Sequence, residues 1–219
     1  MAIKAVVFDA FGTLCEITAP KRPYARLARL SKGRQHARQL LMSKPLLLRQ
    51  AAVELRVNID EIRLLEADLQ TELASIRLFP EVSQVLMALR SKGVALAVAS
   101  NLALPYAAPL RRLLPFELDA YAWSFEVGSL KPDCGIYSNV CSQLRLHANE
   151  VLMIGDTYVD DYEGAIASGL SAIHLNRLSN VRRIGSIDSL TPIVGLFAHG
   201  YPDASAFRLG AGTSGSGTA

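Results

Sequence analysis

The fold is decided by residues 3–14, which read Ile-Lys-Ala-Val-Val-Phe-Asp-Ala-Phe-Gly-Thr-Leu. A short apolar run stops at Asp9, and a glycine follows three residues later at Gly12. Such a run predicts a buried strand, and the acid with its nearby glycine predicts that this strand ends in a tight loop. We therefore expect Asp9 to lie at the carboxyl end of the first strand of a sheet.

Short apolar runs and helical stretches alternate through the second half of the chain. Strands are predicted at residues 94–99, 121–125, 151–154 and 171–175, and helices at residues 81–92, 105–114, 133–146 and 160–168. This alternation is typical of βαβ units, which build a parallel sheet with helices on both faces. The sequence therefore predicts an α/β fold with a Rossmann-like parallel sheet, in which ligands bind beyond the carboxyl ends of the strands.

Polar clusters lie at the ends of predicted strands or in the connections that follow them. They occupy residues 9–13, 100–101, 128–131 and 155–161. Because parallel strands bring their carboxyl ends to one edge of a sheet, we expect these clusters to form one site. Some members have simpler interpretations: Asp160 is typical of a helix start, and Ser100 with Asn101 is typical of a turn.

A long helical stretch separates the first strand from the later ones. Five apolar residues recur in it at helical spacing, which predicts one apolar face: Ile62, Leu65, Leu69, Leu73 and Ile76. Between residues 17 and 53 there are nine Lys or Arg residues and no Asp or Glu. This distribution predicts either a solvated basic face or a positive field over a site that receives an anionic substrate.

The composition argues against several classes of protein. The 219 residues are 50% apolar and 20% charged with a net charge of +3, which fits one α/β domain with an insertion and no nucleic-acid surface. No run reaches the roughly 18–20 apolar residues that span a bilayer, and the first apolar run is too short for a secretory signal. We therefore expect a cytoplasmic protein with neither a nucleic-acid nor a membrane partner.

Three cysteines without CxxC spacing predict reduced thiols rather than disulfides or a zinc site.

Four segments together resemble the haloacid dehalogenase-like hydrolase superfamily. They are Phe-Asp-Ala-Phe-Gly-Thr-Leu at residues 8–14, Ser-Asn at 100–101, Lys-Pro at 131–132 and Gly-Asp-Thr-Tyr-Val-Asp-Asp at 155–161. The resemblance implies a core domain of residues 1–15 and 77–199, with a small helical cap at residues 16–76 inserted after the first strand. Residues 200–219 are predicted to form a flexible C-terminal tail.

The resemblance implies catalytic roles for three residues. Asp9 is expected to attack the substrate and to form a covalent aspartyl intermediate, which divides one difficult step into two easier ones. Ser100 is expected to bind the transferring group through its hydroxyl. Lys131 is expected to neutralise the charge on Asp9 and on the intermediate.

Two further sets of residues are implied to bind substrate and metal. The substrate-binding set is Phe11, Gly12, Thr13 and Asn101. The metal-binding set is Asp9, Phe11 through its backbone carbonyl, Asp156 and Asp161. Carboxylates about 5 Å apart repel by roughly 3 kcal/mol at an effective dielectric of 20, and one lysine cannot balance three of them. Mg²⁺, which prefers carboxylate, carbonyl and water ligands, is therefore the expected cofactor.

Phe11 departs from the pattern of the phosphatases of this family, which carry a second aspartate two residues after the nucleophile. That acid protonates the leaving oxygen, and such help is typically worth 10²–10⁴-fold in rate. The family's dehalogenases carry an aromatic residue at this place. The metal-independent dehalogenases, however, lack the acid found here at Asp156, so the chain combines features of two subfamilies.

Three functions are therefore open at this point. The leading hypothesis is a Mg²⁺-dependent phosphate-ester hydrolase that acts on a small anionic substrate. The alternatives are a 2-haloacid dehalogenase and a phospho-ligand binding protein without catalysis. The sequence leaves open the substrate, the cap residue that assists and the oligomeric state, a homodimer included.

Overall fold

The structure is a computed structural model that describes residues 1–31, 33–58, 62–177 and 186–204. The strands are β1 (Ala5–Phe8), β2 (Cys15–Ile17), β3 (Ile76–Leu78), β4 (Ala95–Ser100), β5 (Ala120–Trp123), β6 (Val151–Gly155) and β7 (Ser171–His174). Five of them form one parallel sheet in the order β5-β4-β1-β6-β7. The predicted α/β fold with a parallel sheet is confirmed.

Strand β1 lies at the centre of this sheet because both of its faces are apolar. Val6 and Phe8 belong to one core cluster, while Ala5 and Val7 belong to the cluster on the opposite face. All four residues are 0% exposed, as expected for alternating side chains on a central parallel strand. The residue that follows β1 is therefore held at a rigid sheet edge.

Four helices lie between β2 and β3, and we call them the insert. They are α1 (Pro23–Leu30), α2 (Arg34–Ser43), α3 (Leu48–Glu54) and α4 (Ile62–Ala74). Strands β2 and β3 pair antiparallel and form the base of this insert. The predicted helical insertion after the first strand is confirmed, while the exact domain boundaries stay a prediction.

The remaining helices accompany the sheet. They are α5 (Val82–Ser91), α6 (Ala107–Leu113), α7 (Ser124–Val127), α8 (Cys134–Leu144), α9 (Gly164–Ala167) and α10 (Ile193–Leu196). Short turns of other helix types cover Leu104–Tyr106, Ala148–Glu150 and Tyr158–Glu163. Helix α8 packs beside β4 and β5, and α5 packs against β4.

Two apolar residues lie in elements other than those predicted. Ile76 continues the helical spacing of α4 in the sequence, but it begins β3 and pairs with Ile17. Phe125 is predicted in a strand, but β5 ends at Trp123 and Phe125 lies in α7. In both cases the apolar residue is buried, and the apolar pattern alone does not distinguish a short strand from a helical turn.

The first residues of the predicted C-terminal tail lie against the N-terminus. Ala2 forms a β-bridge with Asp203, and Ala204 is 5% exposed. Residues 205–219, which make up the rest of that predicted tail, lie outside the described residues. Among the described helices, none is both long and apolar enough to cross a membrane.

Candidate active site

Three aspartates meet at the carboxyl edge of the parallel sheet. Asp9 follows β1, Asp156 follows β6, and Asp161 lies one turn beyond Asp156. Each offers one carboxylate oxygen to a group in which these atoms all lie within 4.8 Å of one another. Asp9 and Asp161 are buried, whereas Asp156 is exposed. The structure thus brings together the three acids that the sequence predicts as metal ligands.

Lys131 is the buried cation of this cluster. Its Nζ donates to Asp9 Oδ1 at 2.6 Å and to Asp161 Oδ1 at 2.5 Å, and the side chain is 2% exposed. Burial alone would lower the pKa of Lys131, but the two carboxylates outweigh it and hold the pKa above its usual range. Lys131 therefore stays charged and holds the Asp9 carboxylate in a fixed orientation.

Two glycines let the carboxylates approach the backbone. A Cβ on Gly12 would overlap the carboxylate of Asp156, and a Cβ on Gly155 would overlap that of Asp161. Gly12 also has a φ of +87°, which side-chain-bearing residues rarely adopt. Any larger residue at either place would push an acid out of the cluster.

The cluster carries more negative charge than Lys131 can balance. Burial and the nearby Asp9 raise the pKa of Asp156 from 3.8 to about 6. Burial raises the pKa of Asp161 to about 7, and Asp9 adds to this while Lys131 opposes it. Desolvation is the larger cause of both shifts, and the charge of Asp9 adds to it, so ionising all the acids together is unfavourable.

The donor set fits a hard divalent cation. The three acids offer oxygen ligands only, and two charges in excess of Lys131 are those that a divalent ion would neutralise. A softer metal would require sulphur or imidazole ligands. Cys15 is a poor candidate for such a ligand, because it is buried and its Sγ donates to the carbonyl of Ala10. Burial also raises the pKa of its thiol well above the usual range, which keeps it protonated. Asp9, Asp156 and Asp161 are thus the residues that would hold Mg²⁺.

The loop after Asp9 is fixed by its own backbone and by Arg177. The carbonyl of Ala10 accepts hydrogen bonds from the amides of Thr13, Leu14 and Cys15. The guanidinium of Arg177 donates to the carbonyls of Gly12 and Thr13 at 3.2 and 2.7 Å. A buried Thr13 hydroxyl lies 3.5 Å from Asp156 Oδ1.

Arg177 is held in turn by two residues that lie just before α5, Phe79 and Glu81. Its Nη1 lies 2.6 Å from Glu81 Oε1, and its guanidinium lies 3.9 Å from the centroid of the Phe79 ring. Arg177 is not among the residues predicted from the sequence, although it follows β7 at the same sheet edge as the predicted clusters. That strand-end position is the signal that identifies it.

Ser100 ends β4 and Asn101 follows it, and the two differ in their surroundings. Ser100 is 2% exposed. The Asn101 amide is engaged: Nδ2 donates to the Lys131 carbonyl at 2.9 Å and Oδ1 accepts from the Lys131 amide at 2.8 Å. The sequence predicts that Asn101 binds substrate, whereas these contacts favour a role in holding Lys131.

A chain of contacts joins Phe11 to the insert. The Phe11 ring meets the edge of the Tyr106 ring, with centroids 5.7 Å apart. The Tyr106 hydroxyl donates to Glu72 Oε1 at 2.7 Å, and Glu72 Oε2 accepts the amides of Lys21 and Arg22 at 2.5 Å. Glu72 is 4% exposed. In the sequence it has the pattern of an ordinary acid on a helix, so nothing in the sequence predicts its contact with Tyr106.

Comparison with known proteins identifies the family to which this chain belongs. A family model described as a haloacid dehalogenase-like hydrolase matches residues 3–169, which is more than half of the chain. Among curated proteins, the glyceraldehyde 3-phosphate phosphatase of Methanothermobacter thermautotrophicus is 32% identical over 105 residues. That match covers 47% of this chain and 46% of the relative, so the chain spans about half the length of the curated relative it matches.

Solved structures of both phosphatases and dehalogenases share the fold. A HAD phosphatase from Thermococcus onnurineus has a TM-score of 0.63 and 19% identity, covering 91% of this chain and all 100% of that one. The L-2-haloacid dehalogenase from Xanthobacter autotrophicus with chloropropionic acid covalently bound has a TM-score of 0.64 and 21% identity, covering 89% and 98%. These similarities concern the fold alone, because the identities are low.

Proposed function

The chain belongs to the haloacid dehalogenase-like hydrolases, and on that basis we propose that its substrate is a small anionic phosphate monoester, which it hydrolyses with the help of Mg²⁺. The observation that carries this proposal is the grouping of Asp9, Asp156 and Asp161 within 4.8 Å around a single lysine. When bound there, Mg²⁺ would supply positive charge to the carboxylates and to the phosphate oxygens.

The first step places the substrate phosphorus in line with Asp9. An oxygen of the Asp9 carboxylate forms a bond to phosphorus, and the bond between phosphorus and the ester oxygen breaks. The electron pair stays on the leaving oxygen, which takes a proton from water. Lys131 orients the Asp9 carboxylate and offsets its charge, and the hydroxyl of buried Ser100 donates to a phosphate oxygen.

The second step restores the enzyme. A water oxygen attacks the phosphorus of the aspartyl phosphate, the bond to the Asp9 oxygen breaks, and Asp9 leaves as a carboxylate. The proton of the water passes to the phosphate or to solvent. Lys131 and the loop that Arg177 holds are already in place for the released carboxylate.

A direct assay tests the proposal. An aryl phosphate such as 4-nitrophenyl phosphate needs no proton on its leaving group, so we expect turnover that requires Mg²⁺ and Asp9. The Asp9→Asn variant should lose at least about 10³-fold in rate, and Asp203→Asn, at an exposed acid that pairs with the amino terminus, serves as a matched acidic control. Turnover that persists without metal or without Asp9 would contradict the proposal.

A second function rests on Phe11. Its ring makes an edge-to-face contact with Tyr106 and offers no proton, which suits the release of a halide rather than an alcohol. We therefore also consider a 2-haloacid dehalogenase, in which Asp9 displaces the halide from carbon. Chloride release from 2-chloropropionate in the presence of a chelator would support this function, and its absence would remove it.

A further inference from the structure

A cavity of about 560 Å³ lies between the insert and the loop after β4, and its volume is within the size range of small-molecule sites. Its wall is mainly apolar and comes from helices α1 and α2 of the insert and from the loop after β4. The apolar lining is Tyr24, Ala25, Ala28, Leu41, Met42 and Ala103. An apolar chamber of this size accepts an apolar body of roughly the dimensions of a benzene ring or larger.

The chamber adjoins the residues that are proposed to react. Ala103 lies three residues after Ser100, and the Tyr24 ring centroid is 6.0 Å from that of Tyr106, which in turn packs on Phe11. The Ser124 hydroxyl of the core donates to the Met42 carbonyl at 2.6 Å and so ties the chamber wall to the sheet. A substrate with its phosphate at Asp9 therefore has this chamber next to it.

Two exposed arginines line the same cavity, and one of them, Arg38, is close enough to Asp160 for the two charges to interact. Arg29 and Arg38 form no ion pair within the part of the chain that the structure describes. Two other arginines of the insert do: Arg26 pairs with Asp68, and Arg49 lies 2.8 Å from Glu66. Guanidinium groups that form no direct ion pair and lie beside an apolar chamber are complementary to an anion attached to an apolar body.

The chamber offers little to a sugar. The hydroxyl of Tyr24 already donates to the carbonyl of Leu46 at 3.3 Å, and the other apolar wall residues have no polar side-chain atoms able to donate or accept. Sugar hydroxyls would lose their hydrogen bonds to water there without replacement, which is costly. This sets the chain apart from a glyceraldehyde 3-phosphate phosphatase, whose substrate carries polar groups.

We propose that this chamber binds the leaving group of the substrate, and that the leaving group is an apolar body bearing a second negative charge, such as an aromatic carboxylic acid. The inference rests on the proposed function, because it takes the phosphate to lie at Asp9. Arg29 and Arg38 bind the distal carboxylate, while the alanines, Leu41 and Met42 pack on the ring.

Selectivity for matched esters tests the proposal. We expect kcat/KM for 4-carboxyphenyl phosphate to exceed that for phenyl phosphate by about tenfold or more, the range of a hydrogen bond to a charged group. Glucose 6-phosphate should be poorer than both. The Arg29→Gln and Arg38→Gln variants should bring the ratio of the two aryl esters towards one, whereas Arg63→Gln, an exposed arginine of α4, should keep it.

Binding separates this proposal from the proposed function. The non-hydrolysable 4-carboxyphenylphosphonate should bind wild-type protein about tenfold more tightly than phenylphosphonate in calorimetry, and this preference should vanish in the arginine variants. Preference in binding without turnover of any ester would uphold the chamber and refute the phosphatase. Turnover or binding without preference for the carboxylated compound would overturn the chamber, as would preference that survives in both arginine variants.

Discussion

Lys131 Nζ lies 2.6 Å from Asp9 Oδ1 in a pocket where the lysine side chain is 2% exposed. The two residues are 122 positions apart in the chain and meet because β1 ends at the edge where the connection to α8 passes. The same ammonium group also contacts Asp161, so one buried cation orients two acids. Loss of this cation leaves buried carboxylates without compensation.

The first prediction concerns this buried ion pair. Lys131→Met should lower the free energy of unfolding of the metal-free protein by about 3–5 kcal/mol, because the carboxylates of Asp9 and Asp161 lose their counter-charge. The double variant Lys131→Met with Asp161→Asn should recover part of that loss, and a double-mutant cycle by urea unfolding measures the coupling. Equal stability of wild type and Lys131→Met would contradict the role of the lysine.

The second prediction concerns pH and metal. The pKa of Asp156 rises from 3.8 to about 6 on folding, so the folded state binds this proton more tightly than the unfolded state. The stabilising contribution is therefore fully present below about pH 4 and is lost as the pH rises through about 6. Because Asp156 is exposed, solvent screens the effect, and we expect a difference of only a few degrees in Tm.

Thermal unfolding of matched variants checks that sign. In the presence of a chelator, Asp156→Asn should have a higher Tm than wild type at pH 7.5, and this advantage should shrink at pH 4.5. Added Mg²⁺ should raise the Tm of wild type at pH 7.5 but leave Asp156→Asn nearly unchanged. Asp203→Asn is the control, since its exposed carboxylate pairs with the amino terminus rather than with the cluster, and it should respond to Mg²⁺ as wild type does.

The third prediction concerns the loop that Arg177 holds. Arg177→Met removes the donors to the carbonyls of Gly12 and Thr13, so the loop after Asp9 should lose its fixed position. We expect kcat to fall by about 10²-fold, because small misplacements of reacting groups have effects of that size. Arg177→Lys should restore only part of the rate, since a compact ammonium group lacks the planar fork of donors with which the guanidinium spans the two carbonyls. The exposed Arg112→Met is the control, and a loss confined to KM would argue against a positioning role.

The fourth prediction concerns the contact between the insert and the core. Tyr106→Phe leaves the buried Glu72 Oε1 without its donor, which should lower the free energy of unfolding by about 1–3 kcal/mol. Tyr201→Phe removes a tyrosine hydroxyl whose contact with Gly93 is exposed, so the change should stay within about 0.5 kcal/mol. Urea unfolding compares the two, and equal losses would show that the Glu72 contact adds no stability.

The sequence predicts the strand ends well because they depend on local pattern. The buried runs before Asp9 and Asp156 are apolar and end at an acid, so both the strands and the place of the acids are visible in the sequence. The signal for Lys131 is weaker, because it lies in a connection between strands. The polar cluster at residues 128–131 indicates its place at the sheet edge, and only the resemblance to the family implies its role.

Contacts between distant segments are what the sequence leaves out. Glu72 and Tyr106 are 34 positions apart, and the burial of Glu72 depends on how the insert packs on the core. Arg177 depends likewise on the approach of Glu81 from another connection. The helical spacing of apolar residues in α4 also continues through Ile76 in the sequence. Ile76 nevertheless lies in β3, because strand pairing with Ile17 overrides the local pattern there.

The last prediction concerns Phe11, where the chain lacks the acid that phosphatases of its family use. Phe11→Asp should increase hydrolysis of alkyl phosphates relative to 4-nitrophenyl phosphate by up to about 10²-fold, because only an alkyl leaving oxygen needs a proton. Phe11→Asn has nearly the same size but no proton of suitable pKa, so it controls for the lost ring contact with Tyr106. Steady-state rates give the alkyl-to-aryl ratio for each variant. If Phe11→Asp and Phe11→Asn have the same alkyl-to-aryl ratio, the carboxyl group at position 11 does not reach the leaving oxygen. Water would then protonate that oxygen in Phe11→Asp, as proposed for wild type.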